Sequence, residues 1–121
     1  MVLPTTLKHV ATANEHAEIL ENNENVMICC GRMGPMCLPV YDIMEDLQNE
    51  YTNVEFRDMA FDSQEAAIIR NHQACSSFMG LPFIVYYKNG ELVSATSSIQ
   101  NRDQITTILD REFNTEEVQI N

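Results

Sequence analysis

Basic residues are scarce in this chain. Seven Lys and Arg stand against eighteen Asp and Glu, a formal net charge of −11 over 121 residues. A phosphate-binding face needs clustered cations, so nucleic acid and anionic membrane are excluded as main partners. The acidic surface keeps a small protein soluble and would steer a basic partner towards it. Long apolar runs are missing too. No stretch reaches the roughly 20 residues that cross a bilayer, and Met1 does not open a charged-then-apolar leader. The expectation is a cytoplasmic protein, or the processed form of something else, with no membrane partner and a monomeric state.

Several catalytic signatures are also absent. There is no H-E-x-x-H motif, no Ser-His-Asp pattern and no glycine-rich loop of the phosphate-cradling kind. The four cysteines, Cys29, Cys30, Cys37 and Cys75, contain no paired C-x2-C units. His9, His16 and His72 are scattered and read as surface side chains, so neither a metal site nor a cofactor is expected. In a cytosolic chain the cysteines are expected as thiols rather than structural disulfides. The acidic pairs Glu45–Asp46 and Glu116–Glu117 read as solvated faces.

What remains is a 45% apolar sequence that fits one domain over residues 1–121, with a core from about 7 to 113 and an acidic tail that frays from Thr115. Residues 26–30 form a continuous apolar run, the pattern of a strand buried on both faces. A Gly/Pro loop follows, from Gly31 to Met36. Pro35 and Pro39 then favour a helix starting near Cys37 or Leu38 and running to about Glu50, because proline is tolerated in a first turn. Val40, Ile43, Met44, Leu47 and Tyr51 share one face at helical spacing. Three of the four cysteines therefore sit at a strand end and a helix start. There the helix dipole and free N–H groups favour a thiolate over a thiol.

The rest of the chain completes an alternating order. Leu7 to Ala11 is a short strand. Thr12 and Glu15 form a capping box that opens a helix from Ala13 to Glu21. Val54 to Met59 is a strand with Val54, Phe56 and Asp58 on one side. Ser63 to His72 is a helix with Arg70 solvated, and residues 73–80 are less regular. Phe83 to Tyr87 is a strand, Asn89-Gly90 is a hairpin turn, and Glu91 to Thr96 pairs back. Asn101 and Gln104 open a last helix through Phe113. The order β-α-β-α-β-α-β-β-α implies parallel neighbours first and a hairpin last. The fold class is a mixed sheet with helices on both faces, a three-layer α/β/α sandwich.

That order, with its motifs, resembles the thioredoxin family from about Leu7 to Phe113. The motifs are the buried strand ending at Cys30, the Gly-Pro-Met-Cys helix start, the helix ending Leu47-Gln-Asn-Glu-Tyr51, Met79-Gly-Leu-Pro82, and Tyr87-Lys-Asn-Gly-Glu91. The resemblance implies that Pro82 is cis and faces the loop holding Cys37. It also exposes a departure. The family uses Cys-Gly-Pro-Cys, whose first cysteine attacks a disulfide and whose second resolves the mixed disulfide. Matching Gly34-Pro35 to the family's Gly-Pro puts Met33 and Met36 at both cysteine positions. Matching the helix without a gap, the preferred register, puts Cys37 at the second position and Gly34 at the first. Either way the usual nucleophile is absent. The preceding tryptophan is absent as well, and Met27 stands near the place of the family's buried aspartate.

The cysteines then have three readings. Cys37 acts as a lone thiol or pairs with Cys30, or it pairs with Cys75. Alternatively the fold has lost dithiol catalysis and holds a protein partner through Met33, Gly34, Pro35, Met36, Leu81 and Pro82. The expected partner is a protein or a protein disulfide, together with a reductase in the redox case. Cys29 and Cys30, as strand neighbours, point to opposite faces, so at least one of them is core.

Overall fold

The computed structural model describes residues 2–113; the tail expected to fray from Thr115 lies outside them. The strands are β1 (Lys8–Val10), β2 (Asn25–Gly31), β3 (Glu55–Ala60), β4 (Phe83–Lys88) and β5 (Glu91–Ser97). The helices are α1 (Ala13–Asn22), α2 (Leu38–Leu47), α3 (Ala67–Arg70) and α4 (Arg102–Phe113). The sheet order is β1-β3-β2-β4-β5. β1, β3 and β2 run parallel, while β4 and β5 are antiparallel to their neighbours. This is a thioredoxin-like α/β fold, with β2 near the centre of the sheet.

Alternation along the strands makes two cores. On β2, Met27 and Cys29 face the layer built by α2 and α4, with Ile84 and Tyr86 of β4 beside them. Val26, Ile28 and Cys30 face the other way, towards Ile19 of α1 and Ile69 of α3. Both cysteines of the pair are thus core, one in each layer, because side chains on a strand alternate. The α2 stripe consists of Val40, Tyr41, Met44 and Leu47, with Ile43 and Tyr51 packed at its margin. Tyr41 is an addition to the stripe read from the sequence. α2 itself stops at Leu47, and its carbonyl accepts from Tyr51 N–H through a closing turn.

The helix starts follow their capping residues. Thr12 Oγ1 accepts from Glu15 N–H at 3.0 Å, while Glu15 Oε1 accepts from Ala11 N–H. Asn101 and Gln104 exchange side-chain-to-backbone bonds at 2.8 Å in both directions, a full capping box. Asn89 and Gly90 both take positive φ, +53° and +84°, as the two-residue hairpin turn requires.

Three readings need correction. The helix expected over 63–72 is broken into a 3-10 turn at 64–66, the four-residue α3, and a second 3-10 turn at 73–75. Local side-chain bonds compete with the helix there: Ser63 Oγ accepts from Glu65 N–H, and His72 Nδ1 accepts from Ala74 N–H. Arg70 is not a solvated position, since its Nη1 donates to the carbonyls of Phe61 and Ser63. His16 is buried and bonds Tyr87 Oη at 3.0 Å, and His9 is half-buried against Asp58, so neither is a plain surface histidine.

Candidate functional site

β2, the loop after it, the start of α2 and the approach to β4 converge at one end of the sheet. Gly31 is the hinge of this convergence. A Cβ built there would lie 2.8 Å from Cys37 Sγ, 2.8 Å from Tyr41 Oη and 3.1 Å from Pro82 Cβ. Only glycine lets these three groups approach so closely. The Leu81–Pro82 peptide bond is cis. Pro82 is buried beside the Cys37 loop, and Leu81 packs against both cores.

Cys37 stands at the N-cap of α2 with Pro39 in the first helical turn. Its N–H and that of Leu38 both donate to Gly34 O, which closes the turn over Pro35 and Met36. Arg32 N–H donates to Cys37 Sγ at 3.4 Å, and Tyr41 Oη donates to Arg32 O at 2.8 Å. The Arg32 guanidinium grips Asp62 with two bonds of 2.8 Å and lies over the Phe61 ring. The exposed Arg32–Asp62 pair holds the Asp62 carboxyl below its ordinary range. The loop is thereby tied both to α2 and to the segment after β3.

The segments that meet here expose four large apolar side chains beside the charged Arg32–Asp62 pair. Met33 and Met36 are each 43% exposed, Leu38 is 41% exposed, and Met79, before Gly80-Leu81-Pro82, is 96% exposed. Cys37 itself is buried, at 2%. The residues read from the sequence as a binding surface therefore split into a rim (Met33, Pro35, Met36), a turn-closing Gly34, and an inner wall (Leu81, Pro82).

The structure does not gather the cysteines into one pair at this site. All four are free and buried. Cys29 shares the α2/α4 layer with Cys37, whereas Cys30 and Cys75 both pack in the α1/α3 layer. The two partners that the sequence offers Cys37 thus belong to the opposite layer, a consequence of strand alternation for Cys30 and of the turn at 73–75 for Cys75. Burial pushes the Cys30 thiol up to about 12 and raises that of Cys29 well above its ordinary value. Burial also raises Cys75.

One polar group here escaped emphasis in the sequence. Asp58 is fully buried on β3, directly opposite Cys29 in the ladder and on the Phe56 side. His9 Nδ1 meets its Oδ1 at 2.7 Å, and Thr5 Oγ1 donates to Oδ2. Burial raises its pKa against the pull of those two bonds. The only signal in the sequence was its period-2 position beside Val54 and Phe56. Among the described residues no group of His, Cys, Asp and Glu is arranged to hold a metal ion, and no helix is long and apolar enough to cross a membrane.

The architecture is thioredoxin-like, and solved structures agree. The thioredoxin of Plasmodium falciparum superposes with a TM-score of 0.73 at 22% identity, covering 88% of this chain and 99% of that one. Fasciola hepatica thioredoxin gives 0.72 at 23%, covering 87% and 98%. Chlamydomonas reinhardtii thioredoxin f2 gives 0.72 at 14%, covering 88% and 96%. A scan against family models and a search of curated proteins both returned no match. At these identities the likeness is one of fold.

Proposed function

We propose that this is a thioredoxin-fold protein of thiol redox type that meets a protein partner at the Met33–Leu38 and Met79–Pro82 face, with Cys37 as the thiol it brings there. The observation that carries the reading is the convergence of Cys37 Sγ, Gly31, Tyr41 Oη and Pro82 beneath a rim of exposed methionines. Methionine is a flexible, polarizable contact that suits a variable polypeptide surface. In the exchange step a Cys37 thiolate attacks a disulfide of the partner. A new S–S bond forms to Cys37, and the other partner sulfur leaves as a thiolate. No second cysteine stands beside Cys37 in the loop, so the mixed disulfide waits for an external thiol of the glutathione class. That thiol attacks it, takes the bond and returns Cys37 reduced. Because Cys37 is 2% exposed, its sulfur must gain exposure for the attack.

The test is incubation with oxidised glutathione followed by peptide mass mapping. One glutathione on Cys37, released by dithiothreitol and absent from Cys37→Ser, is the expected result. An untouched Cys37, or an adduct only on another cysteine, overturns the redox reading. The burial of Cys37 favours a second reading, a partner-binding module without thiol chemistry. Under it Cys37 stays unmodified, and Cys37→Ser retains whatever protein the wild type captures.

A further inference from the structure

Away from Cys37, one cleft combines shape, rings and an uncommitted cation. It has a volume of about 480 Å³ and opens between α3, the turn at 71–76 and the start of β4. That size lies within the usual range of small-ligand sites. Phe61, Phe78 and Phe83 form its apolar wall, with the first two set edge-on to Phe83 at centroid distances of 5.2 and 5.3 Å. A larger hollow of about 630 Å³ beside the end of α1 is lined by Glu21, Glu24 and asparagines and offers neither ring nor cation.

The polar side of the cleft is Arg70 and His72. Arg70 Nη1 is fixed by two carbonyl bonds of 2.7 Å, and the guanidinium lies over the Phe61 ring at 5.6 Å. Its Nε and Nη2 make no hydrogen bond to any described residue. Arg32, Arg57, Arg102 and Arg111 each have a carboxylate partner, whereas Arg70 has none among the described residues. His72 Nδ1 accepts from Ala74 N–H at 3.0 Å, which leaves Nε2 as the nitrogen that bears the proton and donates. In a chain of net charge −11 this is a pre-set anion fork beside an aromatic wall.

We propose that this cleft binds a small aromatic carboxylate, with its ring against Phe61, Phe78 and Phe83 and its carboxylate on Arg70, seconded by His72 Nε2. The cleft borders the Cys37 face, since Phe61 also lies under Arg32 and Phe78 and Phe83 flank Met79–Pro82, but the proposal does not rest on the reading given to that face.

The experiment is an amide-resolved NMR titration of the full chain with 3-phenylpropionate and with its neutral twin, 3-phenylpropanamide. The acid is expected to give saturable shifts at residues 70–78 and at Phe83. The amide should bind about tenfold to a hundredfold more weakly, the equivalent of one charge-assisted hydrogen bond. Arg70→Lys, which keeps the charge and loses the fork, should narrow that ratio. Phe78→Ala should weaken both probes alike. Equal affinity for acid and amide, shifts confined to another surface, or no saturable shift would overturn the proposal. The acid-to-amide ratio is read on the unaltered protein, so a poorly folded variant leaves the test standing.

Discussion

The two sides of the sheet are closed by different means. On one side α2 and α4, ten and twelve residues long, each lay four buried residues on the strands. That layer is sealed mainly by apolar contact, with Tyr41 on Arg32 O and Asp58 on Thr5 and His9 as its buried polar bonds and the Arg102 ion pairs to Asp46 and Glu50 at its outer edge. On the other side α1 buries only His16 and Ile19, and α3 is four residues long. The shortfall is met by rings and long polar side chains: Phe61, Phe78 and Phe83 in edge contact, Arg70 on two carbonyls, His16 on Tyr87. The other layer has α1, as long as α2 but burying only two residues, and the broken α3; it is held in part by directed bonds and keeps a cleft. Where the two layers meet, at the end of the sheet, Gly31, Cys37 and Pro82 come together.

The largest expected effect tests that contrast directly. Leu47 and Ile69 are both fully buried, one under each roof. Leu47→Ala should cost about 2–5 kcal/mol, because the long α2 holds the cavity open. Ile69→Ala should fall at the low end of that range, since a four-residue helix between two 3-10 turns can settle into the gap. Urea unfolding midpoints would report both values. Equal losses would mean that the two roofs are equally rigid, and the comparison would fail.

The buried ionisable groups give a smaller effect with opposite signs in the two layers. Burial raises Asp58 on the α2/α4 side and lowers His16 on the α1 side. For Asp58 the folded state holds its proton longer than the unfolded state. Its contribution is therefore full below about pH 4, the ordinary carboxyl value, and is lost as pH rises through the raised folded value. For His16 the unfolded state takes the proton first, so stability is lost as pH falls below about 6.5. Asp58→Asn should flatten the first slope and His16→Gln the second, each measured as unfolding free energy against pH. A D58N profile parallel to wild type across the first window would show that the Thr5 and His9 bonds offset its burial.

The contrast also explains what could be read from the sequence. The regular layer was legible because its signals are local and periodic: the Asn101–Gln104 box, the apolar stripe of α2, the unbroken run of β2. The Asn89-Gly90 turn and the Gly-Leu-Pro segment were legible because few backbone conformations suit those residues. The irregular layer was not. Residues 63–72 have helical spacing, but Ser63 and His72 turn their side chains onto nearby N–H groups, and Arg70 reaches back to carbonyls before it in the chain. None of those bonds leaves a periodic trace. The geometry of the candidate site was half legible. Cys37, Pro82 and the methionine rim followed from motif and spacing. That Cys30 and Cys75 pack in the core opposite to that of Cys37 depended on which layer each side chain enters.

The smallest expected effect is the sharpest probe of how each layer closes. Tyr86 and Tyr87 are neighbours on β4, both buried, facing opposite cores. Tyr87 Oη has His16 Nε2 at 3.0 Å. Tyr86 Oη is buried with no hydrogen-bond partner among the described residues, and its ring leans on Phe113 at 6.3 Å between centroids. A buried hydroxyl without a partner carries its desolvation penalty uncompensated. Tyr86→Phe should therefore be neutral or stabilising by up to about 1 kcal/mol, while Tyr87→Phe should cost about 1 kcal/mol and strand the His16 ring. Matched thermal scans of the two variants would decide the point. If Tyr86→Phe loses as much as Tyr87→Phe, the Tyr86 hydroxyl is not stranded, and the α2/α4 layer depends on directed bonds at its centre as well as at Tyr41 and Asp58.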